Sequence, residues 1–150
     1  MSSTLVRVGG VAAVMHGTSR ATLNLDIVYR RTPDNIDRLV LAGQPYRPNI
    51  PGAPPDFLFS WNAATIQRGL NFSLTTDVGD LNVLGTIVGG GSYEALLPFT
   101  LVVQIFGADC RLLGLDRLIE ITRAAGRPQD FEIIAELETI RDLQRSFHAA

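Results

Sequence analysis

Apolar and polar residues alternate with a period of two along "ATLNLDIVY" (residues 21–29), Leu23, Leu25 and Ile27 against Asn24, Asp26 and Val28. That period predicts a strand that carries Asn24 and Asp26 side by side on one face and apolar residues on the other. Before it, "TLVRV" (Thr4 to Val8) is rich in β-branched residues and stops at Gly9-Gly10, which predicts a first strand. "GVAAVMHG" between the two reads as a short helix closed by Gly17. "RTPDNIDRLVLAG" is a second helix: Thr32 as N-cap, Pro33 as first helical residue, and Asp34 complementing the dipole. Ile36, Leu39 and Val40 line one of its faces and Gly43 ends it.

The remaining pattern follows the same logic. Five prolines make "QPYRPNIPGAPPD" (Gln44 to Asp56) a loop, and Ala63 to Gly69 reads as a helical turn. "LNFSLTTDVGDLNVLGTI" predicts two strands around Asp77-Val78-Gly79, the second setting Asp80 and Asn82 on one face and Leu81 and Val83 on the other. "GGGSYEALL" is a glycine loop entering a helical turn, and "FTLVVQIFG" with "ADCRLLG" forms a further hairpin. Two helices close the chain, with Leu115, Leu118 and Ile119 on one face of the first and Ile133, Leu137 and Ile140 on the second. The expected class is α+β: a mixed sheet with helices packed on it and two C-terminal helices, in a single domain over residues 1–150.

Composition narrows the chemistry. A net charge of −2 offers nucleic acid no global attraction. All 13 cationic residues are arginine, so a phosphate loop that needs lysine is excluded. The single cysteine, Cys110, excludes an intrachain disulfide and fits a reducing cytoplasm, with burial as its expected fate. No run reaches membrane-spanning length, so a soluble cytoplasmic protein without membrane contact is expected.

Gly9, Gly10, Thr18, Ser19, Asn24 and Asp26 form the strongest constellation. A glycine pair lets backbone amides approach a phosphate, a helix N-terminus favours an anion, the hydroxyls add donors, and Asp26 can hold magnesium. The plainer reading makes Gly9-Gly10 a tight turn and Asp26 a strand-end carboxylate. His16 reads as a histidine packed under its turn, and Trp61 as a core residue or a stacking platform. The glycines of "VGGGS" read as a flexible loop, Arg20 as a surface arginine, and His148 as a tail residue without specific duty.

"VGGVAAVMHGTSRATLNLDIVYRRTPDNIDRL" resembles the nucleotidyltransferase superfamily, in the small bacterial branch that includes minimal nucleotidyltransferases and toxin–antitoxin components. "GDLNVLG" (Gly79 to Gly85) stands in the place of the family's third carboxylate strand, and "TRAAGRPQD" (Thr122 to Asp130) in that of its Lys-x-x-x-Gly-Arg-x-Lys-Asp segment. The resemblance matches Gly9, Gly10 and Thr18 to the family's turn that binds a nucleoside triphosphate, beside which Ser19 offers a further hydroxyl donor. Arg123 and Gln129 replace usual lysines, Arg127 and Asp130 are retained, and Arg123 and Arg127 are expected to flank the site. Asp26 matches the second metal-binding carboxylate. Asn24 occupies the first carboxylate position and Asn82 the third, although Asp80, two residues earlier on the same face, could substitute. Two of three carboxylates are therefore replaced by neutral amides, which weakens or abolishes magnesium binding, and Asn82 cannot accept a proton as a general base. The expected function is a nucleotidyltransferase-like domain with a degraded metal site, binding a nucleotide or a toxin-type partner protein, alone or as a homo-oligomer. The alternative is an active enzyme that uses Asp26 and Asp80 to move a nucleoside monophosphate onto a protein, RNA or small molecule.

Overall fold

The computed structural model describes residues 5–19, 24–54, 56–57, 59–105 and 107–149. The expectations for Thr4, Arg20 and residues 21–23 lie outside the described residues, as does the side chain of His148. The chain runs β1 (Leu5–Val8), α1 (Gly9–His16), β2 (Asn24–Tyr29), α2 (Pro33–Gly43), α3 (Ala63–Arg68), β3 (Asn71–Thr76) and β4 (Gly79–Leu84). It continues through β5 (Thr86–Ile87), β6 (Gly91–Ser92), α4 (Tyr93–Leu96), β7 (Thr100–Ile105), β8 (Ala108–Leu113), α5 (Leu115–Ala125) and α6 (Phe131–Ala149).

Six strands form one mixed sheet in the order β3-β4-β2-β1-β8-β7, and β5 with β6 makes a separate two-stranded ribbon. β1 is antiparallel to β2, whereas β2 with β4 and β1 with β8 are parallel. The α+β class, the mixed sheet and the pair of C-terminal helices are as the hydrophobic pattern predicts.

Alternation along the central strands divides the core in two. Ile27, Tyr29, Leu74 and Val83 bury with Ile36, Leu39 and Ile66, residues of α2 and α3. Val6, Val8 and Val28 bury with Ala12 and Ala13 of α1, Leu118, Ile119 and Ile121 of α5, and Leu137 of α6. Burial of each valine, leucine and isoleucine among them contributes roughly 1.5–3 kcal/mol. Odd positions of β2 serve one core and even positions the other. Asn24 and Asp26 therefore belong to the face covered by α1, α5 and α6.

Several local details have causes beyond the residue pattern. Thr32 takes the N-cap position of α2 but makes no side-chain cap bond. Its hydroxyl instead bonds the Asp34 carboxylate, the leading reason that Asp34 titrates below the ordinary carboxylate range. Gly43 is not in a left-handed conformation; a Cβ there would stand 2.9 Å from Trp61 Cζ2, so a close approach requires glycine. Trp61 donates from Nε1 to Val40 O at 2.9 Å, which identifies it as a packing residue against α2. His16 donates from Nε2 to Leu113 O at 2.8 Å, tying the end of α1 to β8. Of the glycines near Val88, Gly91 pairs with Ile87 in the β5–β6 ribbon, and Gly89 and Gly90 lie in the turn that joins its strands.

Tyr29 is 1% exposed, donates to Leu70 O at 3.0 Å, and accepts a bond from Arg31. Burial pushes its phenol above the ordinary tyrosine range despite the neighbouring guanidinium. Tyr29→Phe is expected to cost about 1–2 kcal/mol, because it removes one of the two donors to Leu70 O and one of the acceptors of Arg31, while Gly85 N, Ile66 O and Gln67 O stay in place. Urea denaturation of the two proteins measures it.

Candidate functional site

Backbone register assembles the site. Val8 pairs with Asp26 across β1 and β2, Asp26 with Asn82 across β2 and β4, and Asn82 with Ser73 across β4 and β3. Partner residues across a ladder point to the same side of a sheet. Val8, Asp26, Asn82 and Ser73 thus form one row over four strands, and all four line a cavity of about 360 Å³. The next row adds Leu84 and Asn71 to its floor. Gly9 and Gly10 at the amino end of α1 form one wall; α5 contributes Leu118, Ile121 and Thr122, and Arg127 and Asp130 stand where α5 turns into α6.

Asn82 Nδ2 donates to Asp26 Oδ1 at 2.6 Å. An ionised carboxylate only accepts, so the amide must turn its nitrogen toward Asp26 and its oxygen away. Gly9, at φ +68°, leaves room for this pair: a Cβ there would lie 2.0 Å from Asp26 Oδ2. Val8, the N-cap of α1, supplies no side-chain acceptor for the free amides of the helix. The carboxylate beside Gly9 is the anion that the positive end of α1 favours.

The other predicted residues stand as follows. Asn24 pairs with Asp80, one row beyond the cavity on the same sheet face, and both are exposed. Thr18 and Ser19 follow the carboxyl end of α1, about 12 Å along the helix axis from Gly9. Thr18 is 7% exposed, with its hydroxyl oxygen unpaired. Ser19 donates from both backbone and hydroxyl to Glu136 on α6, at 2.9 and 3.0 Å. Arg123 pairs with Glu138, joining α5 to α6 outside the cavity lining. Arg127 donates from Nε to Asp130 Oδ2 at 2.7 Å, and that carboxylate is 7% exposed. Of the ten candidate site residues, Gly9, Gly10, Asp26, Asn82 and Arg127 share the cavity.

Asn71 and Ser73 of β3 and Thr122 of α5 also line the cavity and are missed by sequence reasoning. Asn71 Oδ1 accepts from Gly85 N at 2.8 Å, holding the end of β4 against the floor. Alternation along "NFSLTT" places Asn71 and Ser73 on a common face, but only the pairing of β3 with β4 places that face beneath the cavity.

Among the described residues, no three of histidine, cysteine, aspartate and glutamate lie close enough together to hold a metal ion. Two bridging magnesium ions need several anionic oxygens, and the group facing Asp26 is an amide N–H. These residues do not fit a two-magnesium centre. No described helix is long and apolar enough to cross a membrane. No protein-family model matches the chain, and no curated protein matches it.

Proposed function

We propose that the chain is a nucleotidyltransferase-like domain that binds a ligand in this cavity and has lost nucleotidyl-transfer activity. The observation that carries the reading is the hydrogen bond from Asn82 to Asp26. It puts a neutral donor on the carboxylate where transfer chemistry calls for a divalent cation, and it supplies no general base. The order of parts supports the likeness: a glycine pair opening a helix after β1, a carboxylate on β2, and a polar partner beside it on β4. The cavity volume lies within the range of small-molecule sites.

Such a domain acts by occupancy, holding a small molecule in this cavity or a partner protein on its surface. Antitoxin-like control of a partner is a role of that kind. The test is transfer itself. Wild type and Asp26→Ala are mixed with magnesium, α-phosphate-labelled triphosphates, and a mixture of RNA and protein acceptors. Label transferred by wild type is expected to equal that of Asp26→Ala. Transfer that needs both magnesium and Asp26 would overturn the reading in favour of an active enzyme.

A further inference from the structure

The charges around the cavity point away from the phosphates of a nucleotide. Among the described lining residues the ionisable groups are Asp26, Arg127 and Asp130. Arg127 and Asp130 neutralise each other through their 2.7 Å contact, which leaves the charge of Asp26 unbalanced by any lining side chain. The amino end of α1, the feature of this wall that would attract an anion, already has Asp26 Oδ2 packed against Gly9. A phosphate placed there meets a fixed carboxylate with no metal between them, and like charges a few ångströms apart repel strongly away from bulk water.

The pair offers acceptors instead. Asn82 spends an N–H on Asp26 Oδ1, so its own carbonyl oxygen faces elsewhere. Among the described residues, Asp26 Oδ2 has no hydrogen-bond partner. A ligand that satisfies these oxygens brings donors: hydroxyl or amino groups. The cavity also has an apolar lining, with Leu84 on its floor and Ile87, Leu118, Ile121 and Ile133 around it, a surface suited to a flat ring.

Taking the cavity as the ligand site proposed above, we infer that its ligand is an uncharged nucleoside. The ribose hydroxyls donate to Asp26 and Asn82, the base lies on the apolar wall, and phosphorylated forms are rejected. Here the isolated Asp26 carboxylate is a discriminating group rather than a metal ligand.

Calorimetric titration of the full chain with adenosine, guanosine, cytidine and uridine, and with each 5′-mono- and triphosphate, tests this in metal-free buffer. At least one nucleoside is expected to bind about tenfold or more tightly than its own phosphates, since each phosphate adds charge repelled by Asp26. Asp26→Asn removes the charge and keeps the shape. It is expected to weaken the nucleoside about tenfold and to bring nucleoside and monophosphate within about threefold of each other. A phosphate that binds wild type as tightly as its nucleoside, or the failure of all four nucleosides to bind, overturns the inference. So does discrimination that survives Asp26→Asn. None of these results is a transfer reaction, so the inference can fail while the proposed loss of catalysis stands, and magnesium-dependent transfer can refute the latter alone.

Discussion

Gly9→Ala is expected to destabilise the protein by about 3 kcal/mol, lowering Tm by about 6–12 °C in a chain of this size. Two costs add. An alanine held at φ +68° occupies the left-handed region, a penalty of roughly 1–2 kcal/mol. Its Cβ would also stand 2.0 Å from Asp26 Oδ2, so the carboxylate must leave its place beside the helix. That movement strains the hydrogen bond from Asn82, a charge-assisted contact worth about 1.5–3 kcal/mol. The steric part depends on Asp26 and the backbone part does not. In an Asp26→Ala background, Gly9→Ala should therefore cost only about 1–2 kcal/mol, a coupling of roughly 1–2 kcal/mol in the double-mutant cycle. Equal costs in the two backgrounds would mean that the carboxylate does not rest on Gly9.

Asn82→Asp is the second large effect, and its sign reverses with metal. At neutral pH the substitution replaces the donor facing Asp26 by a second carboxylate at a contact of 2.6 Å. Two carboxylates so close cannot both ionise freely, so the upper titration of the pair rises above the ordinary range. A folded-state value raised above the unfolded one means that the folded protein holds the extra proton through the window between them. Stability then falls as pH rises through that window. The deficit is expected to be about 3 kcal/mol at pH 7 and to shrink as pH drops from about 6 towards about 4, the window that a shift of that size implies. Magnesium should reverse it, because the new pair offers two anionic oxygens to one cation. Asn82→Asp should therefore gain Tm with millimolar magnesium, while the wild type should not. Melts across pH, with and without magnesium, measure all three expectations.

How much of this was legible in the chain follows from the range of each signal. Alternation is local, so "LNLDIV" and "GDLNVL" disclose their polar faces without help from the fold. Proline at the start of α2 and Gly17 in a left-handed C-cap after α1 are local signals too, and both stand where the pattern places them. Register is not local. That Asp26 faces Asn82, 56 positions further along the chain, follows from the parallel pairing of β2 with β4. No pattern within either strand states that pairing. The same limit hides Asn71 and Ser73, whose strand reaches the cavity only through β4.

Thr18 and Ser19 illustrate a different difficulty. They lie close to Gly9 in sequence, but the rise of α1 carries them to its far end, where Ser19 meets Glu136. Thr32 shows a third: position identifies the N-cap, whereas the choice between a backbone amide and the Asp34 carboxylate rests on side-chain geometry. Gly43 shows a fourth. Its place at the end of α2 is readable, but the reason for glycine there is an indole ring 18 residues later.

The central claim is that an amide, and no divalent cation, occupies the ground beside Asp26. Manganese is a paramagnetic stand-in for magnesium, and it broadens the NMR signals of nuclei near any site where it binds. The most direct measurement titrates manganese into isotope-labelled wild type and Asn82→Asp while following the backbone amides of Gly9, Gly10 and Asp26. The wild type is expected to show no selective broadening of these signals at submillimolar manganese, and Asn82→Asp is expected to show it. Selective broadening at Gly9, Gly10 and Asp26 in the wild type would contradict the account.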